Sequence, residues 1–284
     1  FELIEPFKIV RIPKTLSLAV LRDTNTALML QNPTPFVSHV SYNPILAFAI
    51  YLVLHQLFFA KSLSRVLRTV FTFFAITMIF NMFITAGRAG QVMFFASLAV
   101  LTFQFFRQSQ MKATVISAIV ILAIGFAGYN YSPLFKNRIK QVSYDLALFT
   151  TNPNTSIGHR IVFAKNTFEL IKASPFIGVG TGDFPAEYTK INLKNTPTAK
   201  STVQPHNMYL YIQAQLGIVG LISFLWIFYV QFQMAFASKN QFIHHAGVAL
   251  PFLFLIIMIS DTYLLGHFTS NLFVLFSAFM FSNK

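Results

Sequence analysis

The sequence predicts an all-α protein that crosses a membrane several times, and three observations support this. Of its 284 residues, 55% are hydrophobic and 10% are charged, whereas a soluble domain carries about 25% charged residues. The apolar residues stand in long continuous runs, which favours helices over a transmembrane β-barrel. The 21 lysines and arginines outnumber the 8 acidic residues, and many of them fall between the apolar runs.

About seven apolar segments suit transmembrane helices and form the predicted bundle. They lie near residues 38–60, 69–86, 91–106, 113–129, 207–235, 246–262 and 268–282. If they alternate in direction, the cations of the loops 61–68 and 107–112, Lys239 and Lys284 share one side, which we expect to be the cytoplasm. The segments 87–90, 130–206 and 261–267 and the start of the chain then face outward.

These segments divide the chain into four parts. We expect an extracytoplasmic or interfacial segment at 1–37, four transmembrane helices at 38–129, an extracytoplasmic loop at 130–206 and three transmembrane helices at 207–284. Residues 15–31 fit either an amphipathic helix on the membrane surface or a loop. The chain begins with Phe rather than Met, so we expect it to be a fragment or a processed product.

The net charge of +13 would suggest a nucleic-acid partner if the protein were soluble. Here much of the charge lies between apolar segments, so we expect no nucleic acid. The remaining cations suit membrane lipids or anionic substrates. The chain has no cysteine, which excludes disulfides and thiolate metal sites.

The long outer loop is the part of the chain that most resembles a soluble protein. It carries nine Lys and Arg against four Asp and Glu, and loops of this length cross the membrane despite such charge. Thr155 or Ser156 is expected to cap a helix that stops before Pro175. A 4-3-4-3 spacing predicts that this helix buries one apolar stripe, Ile157, Ile161, Ala164, Phe168 and Ile171.

Two arginines are candidates for anion binding. Arg88 lies between two apolar segments among small neighbours, where a cation is costly unless it reaches water or an anion. Arg160 falls at the edge of the predicted stripe, and a guanidinium binds phosphate with two hydrogen bonds. The alternatives are a snorkelling arginine at a helix end for Arg88 and a solvated loop charge for Arg160.

The glycines Gly178, Gly180 and Gly182 permit a tight turn whose amides could face an anion. The pattern is neither a Rossmann fingerprint nor a P-loop, because Asp183 stands at the last glycine position and no Gly-Lys-Ser/Thr follows. The spacing alone favours a simpler interpretation, a turn between the end of a helix and an aromatic anchor at Phe184.

His206 is the strongest candidate for chemistry, since it precedes an apolar helix on the outer face. Imidazole titrates near neutral pH and can accept a proton, and helix N-termini favour phosphate. Gln213, two turns further along, extends a polar face below it, and Asn207 follows it directly. The alternative is an interfacial histidine at a helix cap.

Other patterns carry less weight. The sequence has no Asp-x-Asp and no His-Glu-x-x-His, so metal-assisted chemistry has little support. His244 and His245 are expected at the cytoplasmic surface. Asp261 and His267 lie on the outer side, where either could join the site.

Taken in order, these pieces resemble the O-antigen ligase and polymerase superfamily of bacterial membrane glycosyltransferases. The matching pieces are 42–44 (YNP), 85–90 (TAGRAG), 158–160 (GHR), 173–184 (ASPFIGVGTGDF), 205–210 (PHNMYL) and 215–220 (QLGIVG). The resemblance covers most of the chain from about residue 42.

The resemblance implies an enzyme of the inner membrane that takes a glycan from an undecaprenyl-diphosphate carrier and joins it to an acceptor at the periplasmic face. Such enzymes use no nucleotide and, in the ligases, no metal, so no cofactor is expected. It implies that Arg88 and Arg160 hold the diphosphate and that His206 activates or orients the acceptor hydroxyl. The glycines 178, 180 and 182, Asn207 and Gln213 would support this site.

Several activities remain open at the sequence level. The leading expectation is an O-antigen ligase-like transferase that uses lipid A–core as acceptor. The alternatives within the superfamily are a polymerase, which uses another lipid-linked repeat unit, and a protein O-oligosaccharyltransferase, which uses a Ser or Thr side chain. A transporter or flippase of an anionic lipid would use the same cations without chemistry. The clustering of candidates at the outer end, rather than near mid-membrane, favours an enzyme over a transporter.

Overall fold

A computed structural model describes residues 37–148 and 154–282, and every regular element among them is an α-helix. The predicted surface helix at 15–31 and nearly all of the segment 1–37 lie outside the described residues. The ten helices are α1 (His39–Phe59), α2 (Arg65–Ile84), α3 (Arg88–Phe105), α4 (Gln110–Tyr131), α5 (Pro133–Ala147), α6 (Ser156–Ala173), α7 (Phe184–Asn195), α8 (Met208–Ala237), α9 (Gln241–Ile257) and α10 (His267–Phe281).

Among the described residues, four helices are long and apolar enough to cross a membrane, namely α1, α2, α4 and α8. The helices α9 and α10 are apolar but shorter. The protein is therefore an all-α, multi-pass membrane protein, while the full set of seven crossings stays a prediction.

The predicted segments match helices to within a few residues, and α9 differs most. It begins at Gln241 rather than near 246, because the Asn240 side chain accepts hydrogen bonds from the amides of Phe242 and Ile243 at 2.9 and 3.2 Å. Such a cap satisfies amides that otherwise lack partners. The helix ends at Ile257 rather than near 262, and Met258 is its C-cap residue.

The core lies along α1, which packs mainly against α3. Large side chains fill it, including Phe48, Tyr51, Phe94 and Phe254, each with 0% exposure. At the end of the bundle opposite the candidate site, His55 Nε2 and His245 Nδ1 lie 3.0 Å apart. The expectation that His245 is a surface residue was wrong, because pairing with His55 allows both rings to be buried.

The segment between α4 and α8 contains α5, α6 and α7. The prediction for α6 is confirmed at both ends: Thr155 Oγ1 accepts from the amide of Gly158 at 3.1 Å, and the helix ends at Ala173. The predicted apolar stripe was wrong, since Phe168 is 51% exposed. The helix buries another face, formed by Gly158, Val162, Phe163, Asn166, Thr167, Leu170 and Ile171.

The buried face of α6 differs from the predicted one because it includes a network of polar side chains, which a pattern of hydrophobic residues does not reveal. Asn166 Nδ2 donates to Asn192 Oδ1 at 3.1 Å and to Thr196 Oγ1 at 2.8 Å. Thr167 Oγ1 donates to the Phe163 carbonyl at 2.6 Å. Since hydrogen-bonded polar groups can be buried at little cost, these residues join the buried face and α6 turns accordingly.

Candidate active site

Arg88 is placed by a close contact between α1 and the turn before α3. Asn43 is fully buried; its Oδ1 accepts from Thr85 Oγ1 at 2.9 Å, and its Nδ2 donates to the Gly87 carbonyl at 3.5 Å. A Cβ atom at Gly87 or at Gly90 would overlap Asn43. The small residues around Arg88 therefore let α1 and α3 approach each other, which sets the direction of the arginine.

Three arginines meet at a cavity of about 160 Å³ at this end of the bundle. Arg88 opens α3, Arg138 lies on α5 and Arg160 lies on α6, and all three line the cavity. Arg88 Nη2 donates to Ser156 Oγ at 3.1 Å. The structure thus brings together the two predicted arginines and adds a third, Arg138, from α5.

The charge around this cavity is unbalanced. Arg138 and Arg160 both repel Arg88, while Asp145 attracts it. The Asp145 carboxylate is buried and accepts from the amide of Ile157 at 3.4 Å. Three guanidinium groups beside one carboxylate leave a positive site, which suits an anion with several oxygen atoms.

His206 lies beside this cavity in an unusual backbone conformation. Its φ of 51° is the only positive φ of a non-glycine residue in the described ranges, and such a conformation costs about 1–3 kcal/mol and is often found at active sites. Nδ1 lies 3.1 Å from Asp261 Oδ1, and the ring stacks on Phe163 with a centroid distance of 5.8 Å. These two contacts determine the orientation of the imidazole ring. They use Nδ1 and one face of the ring, and neither involves Nε2.

Asp261 is the more shielded member of this pair, since its side chain is 14% exposed against 33% for His206. Burial raises the pKa of Asp261, but hydrogen bonds from His206 and from the Thr262 amide, with the charges of His206 and Arg160, lower it below 3.8. The carboxylate therefore stays ionised at neutral pH. As an acceptor it holds Nδ1 of His206 in its N–H form.

Hydrogen bonds join the loop after α9, which carries Asp261, to the start of α8, next to His206. They hold the two side chains of the His206–Asp261 pair in position. The amide of Met208 donates to the Met258 carbonyl at 2.9 Å, and Asn207 Nδ2 donates to the Ile259 carbonyl at 2.9 Å. Asn207 also caps α8, because its Oδ1 accepts from the amide of Leu210 at 3.0 Å. The Met208 and Leu210 amides therefore already have hydrogen-bond partners within the protein and are not available to bind an anion. The positive charge at the site comes mainly from the arginines.

A second cavity, of about 290 Å³, adjoins the His206–Asp261 pair. Asp261 and Gln204 line it, while Val40 and Tyr263 line both cavities. Burial, and then the charge of Asp261, raise the pKa of Tyr263 above its usual value of 10, so its hydroxyl remains a hydrogen-bond donor. The two cavities therefore lie side by side, with the arginines at one and the His206–Asp261 pair at the other.

The glycine-rich turn docks against a break in α8. Gly178, Gly180 and Gly182 have φ of 71°, 112° and 91°, values that glycine adopts readily. At Gly217 α8 loses its helical conformation (φ 63°, ψ −165°). The freed carbonyl of Gln215 accepts from the Gly180 amide at 3.0 Å, and its side chain accepts from the Gly182 amide at 2.7 Å.

These amides are therefore bonded within the protein, and the turn joins the end of α6 to Phe184, which is fully buried. The turn thereby connects α6, which carries Arg160, to the break in α8. Gln213 is half-buried on α8 and outside the residues that line the two cavities. Gln215 makes the contact with the turn.

The sequence analysis did not identify Arg138 or Tyr263 as residues of the site. It named Asp261 as one of two residues, with His267, that could join the site. Asp261 is one of only 8 acidic residues in the chain, and it follows an apolar segment on the outer side, which was the available signal. Within the described ranges, no group of three or more His, Asp or Glu side chains could hold a metal ion.

Comparison with curated proteins finds no significant match, whereas comparison with known families does. Residues 73–225 match the family described as O-antigen ligase. The matched range includes Arg88, Arg138, Arg160 and His206, whereas Asp261 lies beyond it. Because the match spans more than half of the chain, this protein belongs to the O-antigen ligase family.

Proposed function

We propose that this protein transfers a glycan from undecaprenyl diphosphate to lipid A–core at the periplasmic face of the bacterial inner membrane. The observation that supports this most is the meeting of Arg88, Arg138 and Arg160 in one cavity beside the His206–Asp261 pair. One part of the site suits a diphosphate, and the other suits a hydroxyl group that must lose a proton.

In this proposal the arginines bind the diphosphate of the donor. When the bond between the anomeric carbon and the diphosphate oxygen breaks, negative charge grows on that oxygen. Guanidinium groups that lie close to this oxygen stabilise the growing charge, and we assign this role to Arg88 and Arg160. The diphosphate is itself the leaving group, so the proposed reaction needs neither a nucleotide nor a metal ion.

His206 acts on the acceptor. Its Nδ1–H donates to Asp261, so Nε2 carries the free lone pair and takes the proton of the acceptor hydroxyl. The hydroxyl oxygen forms a bond to the anomeric carbon, the bond to the diphosphate breaks, and the diphosphate leaves with both electrons. Attack in line with the leaving group would invert the anomeric carbon.

The first test compares the wild type with His206→Ala after reconstitution in liposomes with lipid-linked glycan and lipid A–core, without metal or nucleotide. The wild type is expected to shift the core lipid on a gel, and the variant to transfer at least about 100-fold more slowly, the lower range for a positioned acid–base group. His267→Ala is the matched control, because this histidine is exposed at the start of α10.

Transfer retained in His206→Ala would refute the role of this histidine. If the wild type modifies no core lipid, the same liposomes are examined for longer carrier-linked chains and for a glycosylated acceptor protein. Those products would replace the ligase with a polymerase or with a protein glycosyltransferase. Movement of the donor lipid across the bilayer, without any transfer product, would indicate a transporter.

A further inference from the structure

The helix α6 runs alongside the first part of α8, toward the middle of that helix. Near the start of α6, Phe163 stacks on His206, just before α8 begins. Just after the end of α6, the Pro175 carbonyl accepts from the amide of Ile218 at 2.9 Å. The two segments therefore advance in the same direction. At 1.5 Å per residue, this brings the turn after α6 to a point about 15 Å along α8.

The chain then returns toward the start of α8. The Val179 amide donates to the Ala214 carbonyl at 2.9 Å, and the rings of Phe184 and Tyr211 lie 5.4 Å apart. These contacts fall at successively earlier positions of α8. The glycine-rich turn is thus the tip of a re-entrant hairpin, and residues 175–178 are its furthest point.

The backbone of this tip packs closely against the break in α8. A Cβ atom at Gly178 would overlap the backbone of Gln215, and one at Gly217 would overlap the backbone of Phe176. Amides of α8 donate to carbonyl groups of the tip, and amides of the tip donate to the carbonyl groups that the break frees. Hydrocarbon tolerates irregular backbone only where protein satisfies its polar groups, and these hydrogen bonds do so.

The tip presents apolar side chains to the surroundings. Phe176 and Ile177 are 71% and 77% exposed, and Val219, whose amide donates to the Phe176 carbonyl at 3.5 Å, is 61% exposed. The helix α8 is a candidate membrane span, so the exposed face of the tip continues a surface that suits lipid. Neighbouring exposed apolar side chains of this size mark an interaction surface.

The length of α8 indicates how deep the tip lies. Its 30 residues span about 45 Å, whereas the hydrocarbon core is about 30 Å thick, so about 15 Å of the helix lies outside the core. The first turns of α8 carry two tyrosines and two glutamines, Tyr209, Tyr211, Gln213 and Gln215, which places the excess length at this end. The tip, about 15 Å from the start of α8, therefore lies at the edge of the hydrocarbon.

The charged side chains near the tip fit this shallow depth. Glu169 and Lys172 form an ion pair at 2.9 Å on the exposed face of α6, one to two turns before Phe176. A charge is costly in hydrocarbon, and a lysine near the end of a helix reaches toward the headgroup layer. The ion pair and the apolar tip therefore suit the two sides of the interface between headgroups and hydrocarbon.

We propose that the tip of this hairpin is a membrane anchor, in which Phe176 and Ile177 enter the edge of the hydrocarbon layer on the side of the candidate site. The partner is the bilayer itself, through its acyl chains, so no particular headgroup is required. The anchor fixes the depth of the end of α6, the helix that carries Arg160. It goes beyond the proposed function, and its test uses no substrate.

The test measures the depth of the tip by tryptophan fluorescence in liposomes. Trp226 is the only tryptophan in the chain and is 60% exposed on α8, so the wild type supplies a lipid-facing reference. In a Trp226→Phe background, Phe176→Trp places a probe at the tip, and Asn195→Trp places the matched control at the exposed end of α7. Ile177→Trp is the second probe and replaces the first if that variant does not fold.

The quenchers are iodide in the water on both sides of the bilayer and bromine atoms on the acyl chains. Because an ion is nearly excluded from hydrocarbon, iodide is expected to quench the tip probe at least about fivefold less than the Asn195→Trp control. Lipids brominated near their headgroups are expected to quench the tip probe more than lipids brominated near the chain ends, and to leave the control nearly unchanged.

Iodide quenching of the tip probe as strong as that of the control would place the tip in water and would overturn the proposal. Protection from both quenchers would mean that protein covers the tip, either another part of this chain or a second copy, and would also overturn it. Stronger quenching by lipids brominated near the chain ends would contradict an anchor at the edge of the hydrocarbon.

Discussion

The substitution Asp261→Asn tests whether the negative charge of Asp261 assists His206, because it removes that charge and changes the shape of the side chain little. The amide oxygen of asparagine can still accept a hydrogen bond from His206 Nδ1, which lies 3.1 Å from Asp261 Oδ1. The variant therefore keeps the shape of the pair and loses the negative charge beside the ring. Its effect reports on electrostatics rather than on packing.

The size of the effect follows from the hydrogen bond. A hydrogen bond contributes about 1.5–3 kcal/mol when one partner is charged and about 0.5–1.5 kcal/mol when both are neutral, so the variant loses about 1–1.5 kcal/mol. Each 1.36 kcal/mol changes a rate about tenfold, and because Asp261 is only 14% exposed, solvent screens the lost charge little. We expect kcat to fall by about 5- to 13-fold, while KM for the donor, which the arginines set, changes little.

The assay measures initial rates of transfer to the core lipid in liposomes over a range of donor concentrations, so that kcat and KM are obtained separately. Glu169→Gln is the control, since this exposed carboxylate forms an ion pair with Lys172 on the surface. A kcat within about twofold of wild type would contradict a positioning role for Asp261.

Three further predictions concern the scaffold and are checked by thermal unfolding in detergent. Gly90→Ala should lower stability by about 1–3 kcal/mol, because its Cβ would overlap α1, whereas Gly125→Ala, with open space around it, should not destabilise. Gly217→Ala should cost about 1–3 kcal/mol or more from its backbone conformation and its contact with the glycine turn. A double-mutant cycle on His55 and His245 should show a coupling of at least about 0.5 kcal/mol, with transfer activity retained, and additive effects would argue against their pairing.

The sequence by itself determined the helical class, the membrane location and the approximate position of most helices. Hydrocarbon allows only backbones that satisfy their own hydrogen bonds, so long apolar runs must be helices whatever surrounds them. The ends of α6 were predictable for a similar reason, since Thr155 caps the helix through a contact only three residues away. Local chemistry was sufficient in both cases.

Only the tertiary structure decided how the site is assembled. His206 and Asp261 are 55 residues apart, and His55 and His245 are 190 apart, so no helical period relates them. Which side chains meet depends on how helix ends pack, and that depends on contacts such as the Asn43–Gly87 bond. The same packing brings Arg138 to Arg88 and Arg160. It also places the glycine-rich turn against the break in α8, where the glycine amides bind backbone groups that the break leaves without helical partners.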